Sequence, residues 1–213
     1  MAVTSPTDVR DALVRQWQLV RLGLPALDLD RPSRIAGWRN RDVVAHLAVQ
    51  PVLLARFLAG SGDQGRSVSP SVTLVANLSG TTRFAAVIDA SAREGGDAGR
   101  LNLGAHIDAV LPVLESVDLT GTITTFQGSI TVVDYLITRC LEAVVHGGDL
   151  VDPVEPDRDA LRIASHALID VLAAKDPALL ARARQLDPQC WVNVATGRDQ
   201  CAGELSRAMP LMT

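Results

Sequence analysis

Glu142 and His146 stand one helical turn apart in the stretch Asp134–Leu150, so in a helix a carboxylate oxygen and an imidazole nitrogen come side by side, where they can close on one divalent ion. The same helix stacks Tyr135, Arg139, Glu142, His146 and Asp149 into a single polar row, because residues three and four apart share a face. A third ligand has to come from elsewhere. The best candidate is His46, in the early helical segment Arg41–Ala48. Two histidines and one carboxylate leave a tetrahedral zinc an open position, the pattern of a reactive site and not of a structural one. Arg139 is placed to orient Glu142 or a substrate carboxylate through a forked contact. Asp149 is placed to accept from the far nitrogen of His146 or to finish the helix. Because the dipole at a helix C-terminus disfavours a negative charge, Asp149 calls for a compensating partner.

Spacing alone also fits a solvated face, since amphipathic surface helices carry such rows. Two features argue against it. Val133, Leu136, Ile137, Cys140, Leu141, Val144 and Val145 leave little of the helix for water, and the row holds a tyrosine and no lysine. His46, taken singly, reads as a hydrogen-bonded core histidine, and His106 and His166 read as surface residues.

The elements that must position these groups are helical. Ser5 followed by Pro6 opens a helix that ends near Leu22, with Gly23 and Pro25 as stops. A polar connector, Leu27–Gly37, leads to a second helix over 40–59, capped by Asn40 and kinked or interrupted at Pro51. Gly60–Ser71 reads as a loop, Thr81–Arg93 and Ala105–Val117 as helices, and Thr120–Thr131 as a small hairpin or irregular turn. The four main helices, about 6–22, 40–59, 80–117 in one or two pieces and 131–148, are expected to form an antiparallel bundle with the site between the second and the last. Two prolines and several acids between Asp152 and Asp157 mark a boundary, so the chain divides into a bundle, 1–151, and a short C-terminal appendage, 152–213. In the appendage, Ala160–Ala174 reads as a helix and Trp191–Ala195 as a strand, giving a mainly all-α fold with a small α/β tail.

Of the 213 residues, 47% are hydrophobic but only three are Trp, three Phe and one Tyr, which suits an Ala/Leu/Val helical interior. Twenty Lys+Arg against 24 Asp+Glu give a net charge of −4 without a basic block, so nucleic-acid binding is not expected. The N-terminus lacks the apolar core of a signal peptide and no apolar run has the length of a membrane span, which points to a cytoplasmic protein without a membrane partner. Three cysteines make neither a disulfide framework nor a zinc knuckle.

Two segments carry a resemblance. Trp38–Ala48, and Asp134-Tyr135-Leu136 through Arg139, Glu142, Val145-His146-Gly147 and Asp149-Leu150, resemble the signature segments of the mycothiol-dependent maleylpyruvate isomerase family, within the DinB-like group of four-helix bundles. The resemblance covers about residues 5–150. It implies an actinobacterial enzyme in which His46, Glu142 and His146 hold zinc or another divalent metal, with mycothiol as co-substrate and a small electrophile as substrate. It also implies isomerase or S-transferase chemistry through a metal-held thiolate, in a monomer or homodimer. The tail, Trp191–Arg198 and Leu205–Leu211, is similar to the end of the sterol-carrier-like domain of many relatives. In the isomerase that domain is implied to supply an arginine for the substrate carboxylates, and nothing assigns Arg158, Arg162, Arg182, Arg184, Arg198 or Arg207 to that role. Thiol transfer is therefore expected ahead of efficient isomerisation. Metal-assisted hydrolysis and a non-catalytic binding bundle are the alternatives.

Overall fold

The computed structural model describes residues 5–60, 67–79, 97–150, 154–200 and 203–211. Helix α1 is Pro6–Gly23, α2 Asn40–Ala59, α3 Pro70–Ser79 and α4 Asp97–Ser116. A hairpin of β1, Thr122–Thr125, and β2, Gly128–Thr131, pairs Ile123 with Ile130 and delivers the chain into α5, Val132–Asp149. Then come α6, Arg158–Lys175, α7, Leu180–Ala183, and α8, Pro188–Ala195.

Local chemistry sets the helix starts. The Ser5 hydroxyl accepts from the Asp8 N–H at 3.1 Å while the Asp8 carboxylate accepts from the Ser5 N–H at 3.0 Å, so two amides without helical partners are satisfied reciprocally. At α5 the Thr131 hydroxyl accepts from the Asp134 N–H at 3.1 Å. Helix α2 departs from expectation at its first residue. Asn40 is already helical and fully buried, its amide donates to Asp28 O at 2.8 Å, and the Asp42 carboxylate takes the Arg39 N–H at 2.7 Å.

Helices α1, α5, α2 and α4 contact one another in a ring and enclose the core, which includes Leu13, Trp17, Leu47, Leu54, Ile107, Leu114, Leu136 and Leu141. Helix α6 lies against α1 and α5, and α8 packs on α6. By length and composition α2 could cross a membrane, but it packs against α4 and α5 and buries Val43, Val44, Leu47, Leu54 and Phe57.

The bundle is not antiparallel throughout. Cys140 Sγ donates to Val9 O at 3.8 Å, Gln16 Nε2 donates to Ala143 O at 3.4 Å, and Gly147 abuts Val20, so α1 and α5 run in the same direction. By contrast His46 meets His146 and Phe57 meets Tyr135, so α2 and α5 run opposite ways. A parallel first and last helix departs from the strict up-and-down alternation of an antiparallel bundle.

Four further expectations are corrected. Pro51 lies inside an unbroken α2, and His106, half-buried and not a surface residue, donates from Nδ1 to Ala48 O at 3.0 Å beside it, where a proline disturbs the backbone ladder. The expected loop ends early, at Pro70. Trp191–Ala195 is helical, not a strand: Asp187 accepts from Gln189 N at 2.9 Å and Cys190 N at 3.4 Å, Pro188 takes the first turn, and Trp191 is buried with its Nε1–H on Ser165 O at 3.1 Å. The appendage is thus helical in its described residues. The helix expected over Thr81–Arg93 lies outside the described residues.

Candidate metal centre

The polar row of α5 faces inward. Tyr135 and Arg139 are each 3% exposed and Asp149 0%, which removes the solvated-face alternative. Opposite Glu142 and His146, the antiparallel α2 presents His46. The Nε2 of His46 lies 3.1 Å from Glu142 Oε2, and the Nε2 of His146 lies 3.4 Å from the same oxygen. The two imidazole rings meet edge to face with centroids 4.3 Å apart, and the three ligand atoms all lie within 4.8 Å of one another. Trp38, just before α2, and His46 meet in a T-shaped ring contact with centroids 6.2 Å apart.

Electrostatics prepares these groups as ligands. Burial and then the neighbouring His146 hold the His46 imidazole below its ordinary pKa, against the pull of Glu142, so it offers a neutral ring. Burial opposes the Glu142 charge, but hydrogen bonds from His146 and His46 and the charge of Arg139 hold its carboxyl well below the usual range. For His146, burial works downward while Asp149 and Glu142 raise it, and they prevail. Each imidazole nitrogen directed at the carboxylate oxygen either carries the hydrogen that it donates to it or shares a metal ion with it. His46 Nδ1 has no partner among the described residues, so no neighbour fixes the tautomer of this ring from its outer side. This donor set fits a divalent ion with an open position.

The outer nitrogen of His146 is fixed. Its Nδ1 lies 2.9 Å from Asp149 Oδ2, so Nδ1–H donates to the carboxylate and the Nε2 lone pair turns to the centre. Asp149 has the partner its position demanded, and that partner is Arg198, whose Nε and Nη2 reach Oδ1 at 2.9 Å and Oδ2 at 2.7 Å. Burial pushes the Asp149 carboxyl up, but this fork and the His146 bond hold it down at about 2. The fork depends on a turn. Thr196 follows the last residue of α8 and Gly197 then takes φ +74°, Gly197 N–H bonds Val194 O at 3.2 Å and Arg198 N–H bonds Asn193 O at 2.8 Å, a left-handed helix ending that swings Arg198 back toward α5. Arg34 closes the same corner, its backbone N–H on Asp149 O at 2.8 Å and its guanidinium on Gly148 O at 3.3 Å.

Arg139 does not grip Glu142 with a fork. Its Nε donates to Thr138 Oγ1 at 3.2 Å and its guanidinium lies over the Tyr135 ring at 4.8 Å, so it acts on Glu142 through space. Sequence reasoning missed Arg198 and Arg34. The signal for Arg198 was indirect, an unexplained acid at a helix end and a Gly-Arg pair after an apolar run.

Comparison with known proteins places the chain. The family model described as the mycothiol maleylpyruvate isomerase N-terminal domain matches residues 10–151. No curated protein matches. A solved structure, the crystal structure of the mycothiol-dependent maleylpyruvate isomerase, superposes with a TM-score of 0.55 at 16% identity, covering 79% of this chain and 71% of that one. At that identity the likeness supports the fold. The family model stops short of the appendage.

Proposed function

The chain belongs to the family of mycothiol maleylpyruvate isomerase N-terminal domains, and on that premise we propose that it is an enzyme using a small-molecule thiol, mycothiol, against a small electrophile at a divalent metal held by His46, Glu142 and His146. The observation that carries this reading is the aim of His46 Nε2 and His146 Nε2 at one oxygen of Glu142. The ligand set of two imidazoles and a carboxylate suits zinc. When bound, such an ion lowers the pKa of a thiol at its open position, so that the nucleophile is a thiolate at neutral pH.

The chain's own residues do the rest. Asp149 keeps the proton of His146 on Nδ1, and Arg198 keeps Asp149 ionised. Arg139 helps keep Glu142 ionised, and the Trp38 ring beside His46 limits its swing. Cys140, on the same helix, is no substitute nucleophile: burial pushes its thiol up and its Sγ donates to Val9 O. The attacking sulfur therefore comes from a co-substrate. Attack on a conjugated double bond followed by rotation and loss of the thiol is isomerisation; attack without loss is S-transfer. Arg198 is engaged by Asp149 and by Thr196 O, so the appendage offers, among its described residues, no second cation at this corner to hold both ends of a substrate dicarboxylate, which favours transfer.

The test is turnover of maleylpyruvate and, separately, of a bimane electrophile, each with zinc and with or without mycothiol. Thiol-dependent conjugate formation supports the reading, and rapid isomerisation without conjugate moves it to the isomerase side. Turnover without any thiol moves it to metal-assisted hydrolysis.

A further inference from the structure

A guanidinium buried to 3% exposure is costly unless a countercharge or a full set of acceptors meets it. Arg139 has neither. Among the described residues no carboxylate lies within ion-pair distance of it, and its side-chain acceptors are neutral hydroxyls, Thr138 Oγ1 for Nε at 3.2 Å and the Tyr135 phenol. The Tyr135 ring covers one face of the guanidinium at 4.8 Å, and that ring packs in turn on Phe57 of α2 at 5.5 Å, so the cation is held in place by packing and not by an anion. On the facing helix Gln50 is a second buried polar group with one end unmet, here the amide oxygen, and turned end for end the amide would present its NH2 to that side instead. It is 6% exposed, its Nε2 stands 3.5 Å from His46 Nε2, and its Oε1 has no partner. Arg139 lies one turn before Glu142 on α5, and Gln50 one turn after His46 on α2. Because these helices run opposite ways, both residues fall on the same side of the centre, toward the Phe57–Tyr135 end of the seam.

Charge points the same way. Asp149 and Arg198 cancel each other. With a divalent ion in place, Glu142 and Arg139 also cancel, and the seam retains the two positive charges of the ion. A thiolate removes one, leaving a site whose balance calls for one more anion.

We propose that Arg139 is the anion-binding group of the seam and receives a carboxylate of the electrophile, beside Gln50 and one turn from the ligands, in place of an arginine from the C-terminal appendage. This rests on the reading of the centre as a thiol-using metal site. It adds a selection rule: the electrophile carries a carboxylate a short distance from the carbon that is attacked, and esters of the same molecule are poor substrates.

The experiment uses the zinc-loaded full chain and an unreactive probe, succinate, titrated by calorimetry without thiol, with dimethyl succinate as the uncharged comparison. The proposal expects succinate to bind and the diester not to, with R139Q weakening succinate about ten- to a hundredfold and R139K recovering part of the loss. Zinc content and helicity are measured on each variant, so loss of the metal site is seen separately from loss of the anion site. If R139Q does not fold, R139K decides alone: a compact ammonium cannot reproduce the fork, so it must bind succinate more weakly than the wild type. Succinate binding that is unchanged in the variants reflects the ion alone and overturns the proposal, as does a zinc-loaded wild type that binds succinate no better than the diester. Because no thiol and no turnover are involved, failure of the thiol reading leaves this result standing on its own.

Discussion

Arg198 and Asp149, 49 residues apart in the chain, meet in a two-point ion pair with contacts of 2.9 and 2.7 Å, and through it the appendage holds the far side of His146. The bundle supplies the three ligand atoms, but the orientation of one of them is controlled from outside the bundle. Removing the arginine leaves a carboxylate of 0% side-chain exposure with the His146 Nδ1–H as its remaining side-chain partner.

Arg198→Gln is therefore expected to destabilise the fold by about 3–5 kcal/mol, the range for unpairing a buried charge, and to weaken metal binding about ten- to a hundredfold through the loosened His146. Urea denaturation reads the first effect and a competitive chelator titration the second. A variant with wild-type metal affinity would show that His146 needs no such support.

Gly197→Ala tests the turn that delivers the arginine. A side chain at φ +74° is strained, and the added Cβ would stand 3.3 Å from Pro210 Cβ. A loss of about 1–2 kcal/mol is expected in thermal or urea unfolding, with metal affinity falling in the same direction as for Arg198→Gln but less far. Unchanged stability would mean that the turn is looser than its hydrogen bonds indicate.

Acid stability has a carboxylate signature away from the centre. Asp157 caps α6, bonding Asp159 N and Ala160 N at 3.0 Å each, and pairs with Arg15 at 2.7 Å. Burial raises its carboxyl, but Arg15 and the backbone amides lower it below 3.8 overall. A folded-state pKa below the unfolded one gives stability that is present above pH 3.8 and lost as pH falls through the folded value. Asp157→Ala should cost about 1 kcal/mol at neutral pH, the usual worth of a cap, and the gap to wild type should narrow only below pH 3.8. A gap that closes at higher pH would assign the effect to another group.

Cys140→Ala should leave thiol-dependent turnover intact and cost about 1–2 kcal/mol of stability from the lost packing of a fully buried side chain. Native Cys140 should also resist alkylation until the protein unfolds, since burial raises its thiol pKa. Loss of turnover in a folded Cys140→Ala protein would make this thiol part of the chemistry.

What the sequence showed and what it concealed follow from the range of the interactions. The α5 row and its inward facing are local: helical spacing aligns Glu142 with His146, and the apolar residues around them leave no room for a wet face. His46 was legible as a candidate, although its approach to Glu142 is tertiary. Trp191–Ala195 misled because Val192 and Val194 alternate as in a strand, while the deciding signal, Asp187 and Pro188, lies just upstream and starts a helix. The parallel run of α1 and α5 has no local signature, since it shows only in contacts between residues more than a hundred positions apart, such as Cys140 with Val9. Arg198 is invisible for the same reason: only the demand of Asp149 for a partner was readable, not which residue would meet it.

The central claim is that His46, Glu142 and His146 jointly hold a metal in a bundle whose core does not depend on it. The most direct measurement is elemental analysis of the purified chain and of His46→Ala, with helicity followed by circular dichroism on the same samples. The account predicts about one divalent ion per wild-type chain, zinc by its donor set, and loss of most of that ion in His46→Ala with helical content retained, because the apolar core formed by residues such as Leu13, Leu47, Leu54 and Leu136 stands apart from the site. Equal metal content in the two proteins, or none in either after zinc loading, would contradict it.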